Sequence, residues 1–138
     1  MTKLSQDPYA SIVALSKSFR EKSLLPSDVI AAQLNRIELL DPSLGSYQKV
    51  YRTNALKAAK SADAAFAADQ RIGPFHGVPF ALKDIYDLAG NITTYGSWEM
   101  RDRVSSRTGS IAKRLLDAGG ILLGKTKTVE CALGGWGT

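Results

Sequence analysis

One lysine of this sequence stands where a lysine could act as a base. Lys83 follows the apolar run Val78 to Leu82 and precedes Asp84. Such a run predicts a buried strand, and α/β folds usually place their sites at the carboxyl ends of strands. An ammonium that loses its water there favours the neutral form, which a base requires. The alternative from spacing alone is a structural lysine that pairs with Asp84 or Asp87 in solvent.

A second stretch raises the question of nucleotide binding. GGILLGKT, residues 119–126, matches the phosphate-loop pattern G-x-x-x-x-G-K-[ST]. A phosphate loop curls backbone N–H groups around phosphate at the start of a helix. Here Ile121 to Leu123 fill the pattern with large apolar side chains, which predict a strand, and a helix is expected to end at Gly119. Nucleotide or phosphate binding at Gly119 to Thr126 is therefore the less favoured alternative.

The remaining reactive side chains form no recognisable catalytic or metal-binding set. His76 is the single histidine, no G-x-S-x-G motif accompanies it, and a turn hydrogen bond or a surface position is expected. Ser110 and Lys113 match S-x-x-K without its partner motifs, which indicates a coincidence on a helix face. Cys131 is expected to be a small buried side chain. The scattered ligands offer no metal cluster, so no metal site is predicted.

Composition and charge are those of an ordinary globular protein. The 138 residues are 44% hydrophobic and 22% charged, and the formal net charge is +5, which predicts one domain with a substantial core. Residues 101–127 hold seven basic side chains against two acidic ones. We interpret this excess as a solvated surface and expect no nucleic-acid partner. Without a signal-peptide pattern or a long apolar run, we expect a cytoplasmic protein without membrane contact.

Apolar spacing predicts three helices in the first half of the chain. The second helix is expected to begin after a cap at Ser27 and to end at Asp41-Pro42, because the residue before proline disfavours helical backbone. The third is expected to run from a cap at Thr53 to about Ala68. The buried faces of the three helices are expected to hold Ile12, Leu15 and Phe19; Ile30, Leu34, Ile37 and Leu40; and Leu56, Ala59 and Phe66.

Strands and one further helix are predicted around these segments. Residues 46–51 and 121–123 are expected to be strands, in addition to the run before Lys83. Ser110 to Ala118 is predicted to be a helix with Ile111, Leu115 and Ala118 on its buried face, and a short helix is expected near Thr128. This order indicates an α/β layered domain with partly parallel pairing.

Two long stretches together resemble a known family. GPFHGVPFALKDIYDLAGNITTYGS, residues 73–97, resembles the segment G-P-L-H-G-[VI]-P-x-x-x-K-D-x-x-D-x-x-G-x-x-T-T-x-G-S of the amidase signature family. AGGILLGKTKTVECALGGWGT, residues 118–138, is similar to its continuation A-G-A-x-x-[LV]-G-K-T-N-x-x-E-F-A. The resemblance implies the N-terminal, incomplete part of an α/β/α sandwich with a mixed sheet. Residues 1–70 would then be a mainly helical region and residues 71–138 the start of the α/β core.

The resemblance also implies a chemistry. Enzymes of this family hydrolyse carboxylic amides with a Ser–cis-Ser–Lys triad and an acyl-enzyme, and they use no metal or organic cofactor. Lys83 occupies the position of the catalytic lysine. A loop that borders the acyl pocket corresponds to Ala132, Leu133, Gly134 and Gly135, which we therefore expect to contact substrate. The expected partner of the complete enzyme is a small-molecule amide.

Two departures from the family's pattern qualify these expectations. Lys127 stands where asparagine is usual and Cys131 where phenylalanine is usual, which changes the packing near the pocket. In addition, the family's glycine- and serine-rich stretch, with both serines and the oxyanion-hole backbone, lies downstream of the segment that ends at Thr138. We therefore expect the 138-residue chain alone to be inactive. The alternative is a non-catalytic fragment or interaction remnant, whose unpaired strands would favour marginal stability or a homo-oligomer.

Overall fold

The computed structural model describes Asp7 and residues 10–134 of the chain. This part of the chain contains four helices and three strands. The elements in order are α1 (Ile12–Arg20), α2 (Pro26–Leu44), β1 (Tyr47–Val50), α3 (Arg52–Ala67), β2 (Pro79–Lys83), α4 (Ser110–Asp117) and β3 (Ile121–Thr126). Two short 3₁₀ turns lie at Trp98–Met100, between β2 and α4, and at Glu130–Ala132, after β3.

The three strands form a mixed sheet in the order β1-β3-β2. β1 pairs antiparallel with β3, and β2 pairs parallel with β3. The last strand of the described chain therefore lies in the middle of the sheet. The mixed α/β architecture agrees with the sequence prediction, and parallel pairing brings the carboxyl ends of β2 and β3 to the same edge, where Lys83 is opposite Thr126.

Helices α2 and α3 cover one face of the sheet. The buried face of α3 is formed largely by Ala55, Ala59 and Ala62, whose spacing places them in one stripe. Small side chains in such a stripe let a helix lie close to its neighbours. The core between the two helices and β3 consists of Ile30, Leu34, Ala55, Ala59, Ala62, Ile121 and Leu123; a second cluster joins Leu15, Phe19, Leu24, Val29, Phe66 and Val78.

The helix starts differ from the predicted caps. Helix α2 starts at Pro26 rather than after a cap at Ser27, and proline suits this first position because its missing N–H would have no partner there. Ser27 does not cap the helix; its backbone N–H donates a hydrogen bond to Asp63 Oδ1 of α3 at 3.1 Å. Helix α3 likewise begins at Arg52, ahead of the predicted cap at Thr53, and no side chain caps it.

The predicted end of α2 at Asp41-Pro42 is wrong. The helix continues through Pro42 to Leu44 and ends at Gly45, whose left-handed φ of +61° suits glycine. The Gly45 N–H donates to the Asp41 carbonyl at 2.7 Å, so the helix end is closed beyond the proline. The Asp41 carboxylate also accepts N–H groups of the two residues that lead into β1, which outweighs the local proline preference.

The buried face predicted for α4 is only partly correct. Ile111 is 52% exposed, whereas Leu115 and Ala118 are half-buried. The fully buried residue of the helix is Ala112, which was not predicted. Gly119 ends the helix as predicted, with φ at +85°. Amphipathic spacing therefore identified the helix and its end, but not the side that is covered here.

Gly124 is a packing requirement of the sheet. A Cβ at this position would overlap the Lys49 carbonyl oxygen and the Tyr47 ring of β1. We expect Gly124→Ala to lower the free energy of unfolding by about 1–3 kcal/mol, because an overpacked backbone contact must shift. Gly73→Ala is the matched control, since the nearest atom to its Cβ is 3.8 Å away. Equal stability of the two variants in chemical denaturation would contradict the packing argument.

Candidate functional site

Lys83 is the last residue of β2 and lies opposite Thr126 of β3. Its neighbour Leu82 is buried, and alternation turns Lys83 to the other face of the sheet. Lys83 is exposed on that face, so the predicted burial of this lysine is wrong for the described chain. The predicted alternative pairs with Asp84 or Asp87 are not formed either, because each carboxylate binds another cation.

The buried lysine of this region is Lys125. Its exposed fraction is 0%, and that of Asp84 is 1%. Lys125 Nζ lies 2.5 Å from Asp84 Oδ1 as an ion pair, and it donates to Thr93 Oγ1 at 2.6 Å and to the Ile92 carbonyl at 3.1 Å. Asp84 Oδ1 has no other donor and no hydrogen bond of regular geometry in the described part of the chain. The Lys125 ammonium is therefore the group that balances this buried charge.

Asp84 also fixes the turn formed by residues 93–97. The Thr94 N–H and hydroxyl both donate to Asp84 Oδ2, at 3.0 and 2.5 Å. The Tyr95 N–H donates to the Asp84 carbonyl at 3.1 Å, and the Asp84 N–H donates to the Thr126 carbonyl at 2.8 Å. Every polar atom of the residue next to Lys83 is thus engaged.

A second carboxylate extends this polar cluster. Arg103 binds Asp87 through two parallel contacts, at 2.8 and 3.2 Å. Ser105 Oγ lies 2.8 Å from Asp87 Oδ1 and 2.9 Å from Thr93 Oγ1, which joins this pair to the Lys125 contacts. The hydrogen bonds from Arg103 lower the pKa of Asp87 from 3.8 to about 2, and Ser105 contributes further. Asp87 is accordingly charged at neutral pH.

The Asp87 pair predicts an acid-dependent loss of stability. The unfolded carboxylate takes up a proton at about pH 4, whereas the folded one does so only near its pKa of about 2. The stabilisation is therefore complete above about pH 4 and is lost as the pH falls toward 2. We expect the stability difference between wild type and Asp87→Asn to shrink over this interval in denaturant titrations. A constant difference would contradict the assignment.

The loop that was predicted to contact substrate lies beside this turn. The Ser97 hydroxyl donates to Glu130 Oε1 at 2.7 Å, and the Cys131 N–H donates to the Tyr95 carbonyl at 2.7 Å. Of the predicted residues, Ala132 is half-buried, Leu133 is 82% exposed and Gly134 is exposed. Gly135 lies outside the described residues. The contacts bring this loop to the turn that Asp84 holds.

Cys131 is exposed, so its predicted burial is wrong. Both Cys131 and Ala132 have left-handed backbone, with φ at +51° and +59°. This conformation is uncommon for residues with a side chain. It turns the Cys131 side chain outward while its N–H is held by Tyr95.

The GGILLGKT stretch is a strand rather than a phosphate loop. Ile121 to Thr126 form β3, Gly119 and Gly120 form the turn before it, and no helix starts within the pattern. The Lys125 ammonium is buried against Asp84 rather than free to meet phosphate. This geometry speaks against nucleotide binding at Gly119 to Thr126.

The other candidate side chains have structural contacts. His76 Nδ1 accepts the Ile72 N–H at 3.0 Å, which confirms the expected turn hydrogen bond, and its ring stacks on Phe66. Burial lowers the pKa of His76. Lys113 pairs with Asp117 at 2.6 Å within α4. In the basic segment 101–127, four of the seven cations thus have carboxylate partners: Arg101, Arg103, Lys113 and Lys125.

Two cavities are relevant to ligand binding. One, of about 320 Å³, lies at the carboxyl ends of β2 and β3 and is lined by Gln48, Asp84, Thr94, Gly96, Ser97, Trp98, Arg101, Lys127 and Thr128. A larger one, of about 440 Å³, lies between α2 and β1 and is mainly apolar. We favour the smaller cavity as part of a site because Asp84 lines it, whereas no candidate residue lines the larger one.

The described residues contain neither a membrane-spanning helix nor a metal-binding cluster. Among the described residues, no helix combines the length and apolar character needed to cross a membrane. Within those residues, also, no three histidine, cysteine or carboxylate side chains lie close enough together to hold a metal ion.

Lys125 was missed by sequence reasoning, although a signal was present. Alternate residues of β3 are Ile121, Leu123 and Lys125, and the first two of them belong to the core. Strict alternation therefore places Lys125 on the buried face. Because the predicted strand ended at Leu123, Lys125 lay outside it, and the phosphate-loop pattern assigned this lysine another role.

Comparison with known proteins supplies the remaining information. The sequence model of the Amidase family matches residues 28–137. A glutamyl-tRNA(Gln) amidotransferase subunit from Acidothermus cellulolyticus is 35% identical over 122 residues, which are 88% of this chain and 24% of that protein. The acylamidase of Rhodococcus erythropolis is 30% identical over 122 residues, which are 88% of this chain and 26% of that protein.

A solved structure resembles the fold as well. The peptide amidase of Stenotrophomonas maltophilia aligns with a TM-score of 0.83 at 29% identity, over 91% of this chain and 26% of that one. The chain thus spans about a quarter of the length of these relatives. Its mixed sheet and helices correspond to one part of a larger α/β structure.

Proposed function

Because this chain belongs to the amidase family, we propose that it carries the catalytic lysine of an enzyme that hydrolyses carboxylic amides. The products would be a carboxylic acid and ammonia or an amine. Lys83 is the proposed base, and the relatives named an acylamidase and a peptide amidase support this class of reaction.

The observation that carries the proposal is the placement of Lys83. It ends a strand of a mixed sheet, on the face that the helices leave open, at the edge where parallel strands place their sites. The next residue, Asp84, is held by five polar contacts. An exposed side chain without a partner of its own, on a backbone position held in this way, can reach a proton donor.

In the proposed mechanism, Lys83 in its neutral form accepts a proton from a serine hydroxyl. That serine in turn accepts the proton of a second serine, whose oxygen attacks the amide carbonyl and forms an acyl-enzyme as the amine leaves with a proton. Water then releases the acid. By family resemblance, both serines belong to a segment downstream of Thr138. The residues Ala132 to Gly135 would border the acyl group.

A chimera tests this proposal. Residues 1–138 would replace the matching quarter of the Stenotrophomonas maltophilia peptide amidase, and release of ammonia or amine from amides would be measured. We expect turnover by the chimera and none by the 138-residue chain alone, because the chain lacks the proposed nucleophile. A chimera that shows a cooperative thermal transition and no turnover would count against the proposal.

An interaction role is the second candidate, and two observations favour it. In the described chain the outer edge of β2 has no strand partner, and α4 exposes Ile111 and Leu116. Unpaired edges and apolar patches are typical of association surfaces. We expect sedimentation analysis of the 138-residue chain to show self-association that increases with concentration. A monomer with a sharp thermal transition would contradict this candidate.

A further inference from the structure

We propose that Lys125 is a positioning residue for Lys83 and that it acts through Asp84. The inference rests on the proposed function, because it assigns Lys125 a role in placing the base. Lys125 does not reach the open face of the sheet where Lys83 lies, since the two side chains emerge on opposite faces of neighbouring strands. Its effect on the reaction would be indirect.

Lys125 is buried among polar partners. Its ammonium lies among Asp84, Thr93 and the Ile92 carbonyl, at 2.5 to 3.1 Å. Apolar residues of similar size often replace a buried ion pair without loss of stability. The pair is therefore poorly explained by stability alone, and a role in fixing one conformation accounts for it better.

Asp84 connects the Lys125 ammonium to Lys83. The Lys83 side chain has no hydrogen bond or ion pair of its own among the described residues, so its location depends on the backbone that carries it. Asp84 is the next residue, and its carboxylate position is set by Lys125 on one oxygen and by Thr94 on the other. Loss of the Lys125 contact would release the carboxyl end of β2.

The loop proposed to contact substrate is connected to Lys125 as well. Lys125 also holds the Ile92 carbonyl and Thr93, which lead into the 93–97 turn. That turn contacts the 130–132 segment through Ser97 and Tyr95. One ammonium thus anchors both the proposed base and the loop proposed to border the acyl group. Their relative placement would change together if this anchor were removed.

The test uses the chimera with the paired substitution Asp84→Asn/Lys125→Met. This variant removes both buried charges and keeps an oxygen that can accept from Thr94. We expect kcat to fall by about 10- to 100-fold, because small displacements of a catalytic group have effects of this size. We expect the fall in kcat to be larger than any rise in KM, and we expect the pH of half-maximal kcat to shift. Glu38→Gln/Arg52→Met, which removes an exposed pair between α2 and α3, is the matched control and should change none of these values.

The outcomes separate the two proposals. Turnover that persists in Lys83→Ala would overturn the proposed function. Loss of turnover in Lys83→Ala together with an unchanged kcat and pH profile in Asp84→Asn/Lys125→Met would overturn the positioning role alone. If the paired variant does not fold, the kinetics of a Thr93→Val chimera test the inference instead. This substitution removes one hydrogen-bond acceptor of Lys125 without changing the charge. That variant should show a smaller fall in kcat and the same direction of pH shift, and unchanged kinetics would overturn the inference.

Discussion

Lys83→Ala in the chimera is expected to reduce amide hydrolysis by about 10²- to 10⁴-fold, the usual contribution of general acid–base catalysis. Without the amine, the relaying serine would have no group to which it could pass the proton. The same substitution should leave the fold of the 138-residue chain unaffected, because Lys83 is exposed there and its side chain has no partner among the described residues. Exposed substitutions of this kind usually change stability by at most about 0.5 kcal/mol. Initial rates of the chimera and thermal denaturation of the 138-residue chain measure the two effects.

Lys49→Ala is the matched control for this prediction. Lys49 is an exposed lysine of the same sheet, on β1 at the far side of β3 from Lys83. Its removal should leave turnover unchanged, which would exclude a general effect of lost positive charge. A Lys83→Ala chimera with a near-normal rate would remove this lysine from the mechanism.

Lys125→Met in the 138-residue chain is expected to lower the free energy of unfolding by about 3–5 kcal/mol, because it leaves the buried Asp84 carboxylate without its cation. A loss of this size is comparable to the whole stability of many small domains. The variant is therefore expected to be largely unfolded in circular dichroism at 25 °C. Asp84→Asn/Lys125→Met should recover much of the loss, since no unpaired charge remains.

Lys113→Met provides the comparison for that experiment. The Lys113–Asp117 pair is as close, at 2.6 Å, but both side chains are more than half exposed. Exposed pairs contribute at most about 1 kcal/mol, because water already solvates each charge. If the Lys113 and Lys125 variants lost equal stability, burial would not be the cause, and the description of the Lys125 pair would be wrong.

Sequence patterns predicted most of the helices and strands but not which of their faces are buried by neighbouring elements. The helical spacing around Ile30 and Leu34 and the apolar run ending at Leu82 correspond to α2 and β2. The sequence around Pro42 could not show that α2 continues to Gly45. The end of the helix depends on the Asp41 carboxylate, which accepts the N–H groups of two residues beyond the helix. Sequence patterns also could not show that the Ile111 side of α4 stays exposed, because burial depends on which elements lie nearby.

The candidate site was predictable in part for a similar reason. The position of Lys83 at a strand end followed from the run before it. Its exposure did not, since exposure depends on what lies over the open face of the sheet. The Asp84–Lys125 pair joins residues that are distant in sequence and become neighbours through the register of β2 and β3. Only the alternation within β3 indicated that Lys125 is buried, and that pattern did not predict Asp84 as its partner.

The strand order has a consequence for synthesis of the protein. Both β1 and β2 pair with β3, and β3 is the last of the three to be translated. A nascent chain therefore carries two strands without ladder partners until residues 121–126 leave the ribosome. Such non-local pairing forms slowly, and exposed strands attract chaperones and other unfolded chains. The helices α2 and α3, which contact each other directly, are the unit that can assemble first, and translation speed across the stretch from β2 to β3 should affect the yield of folded protein.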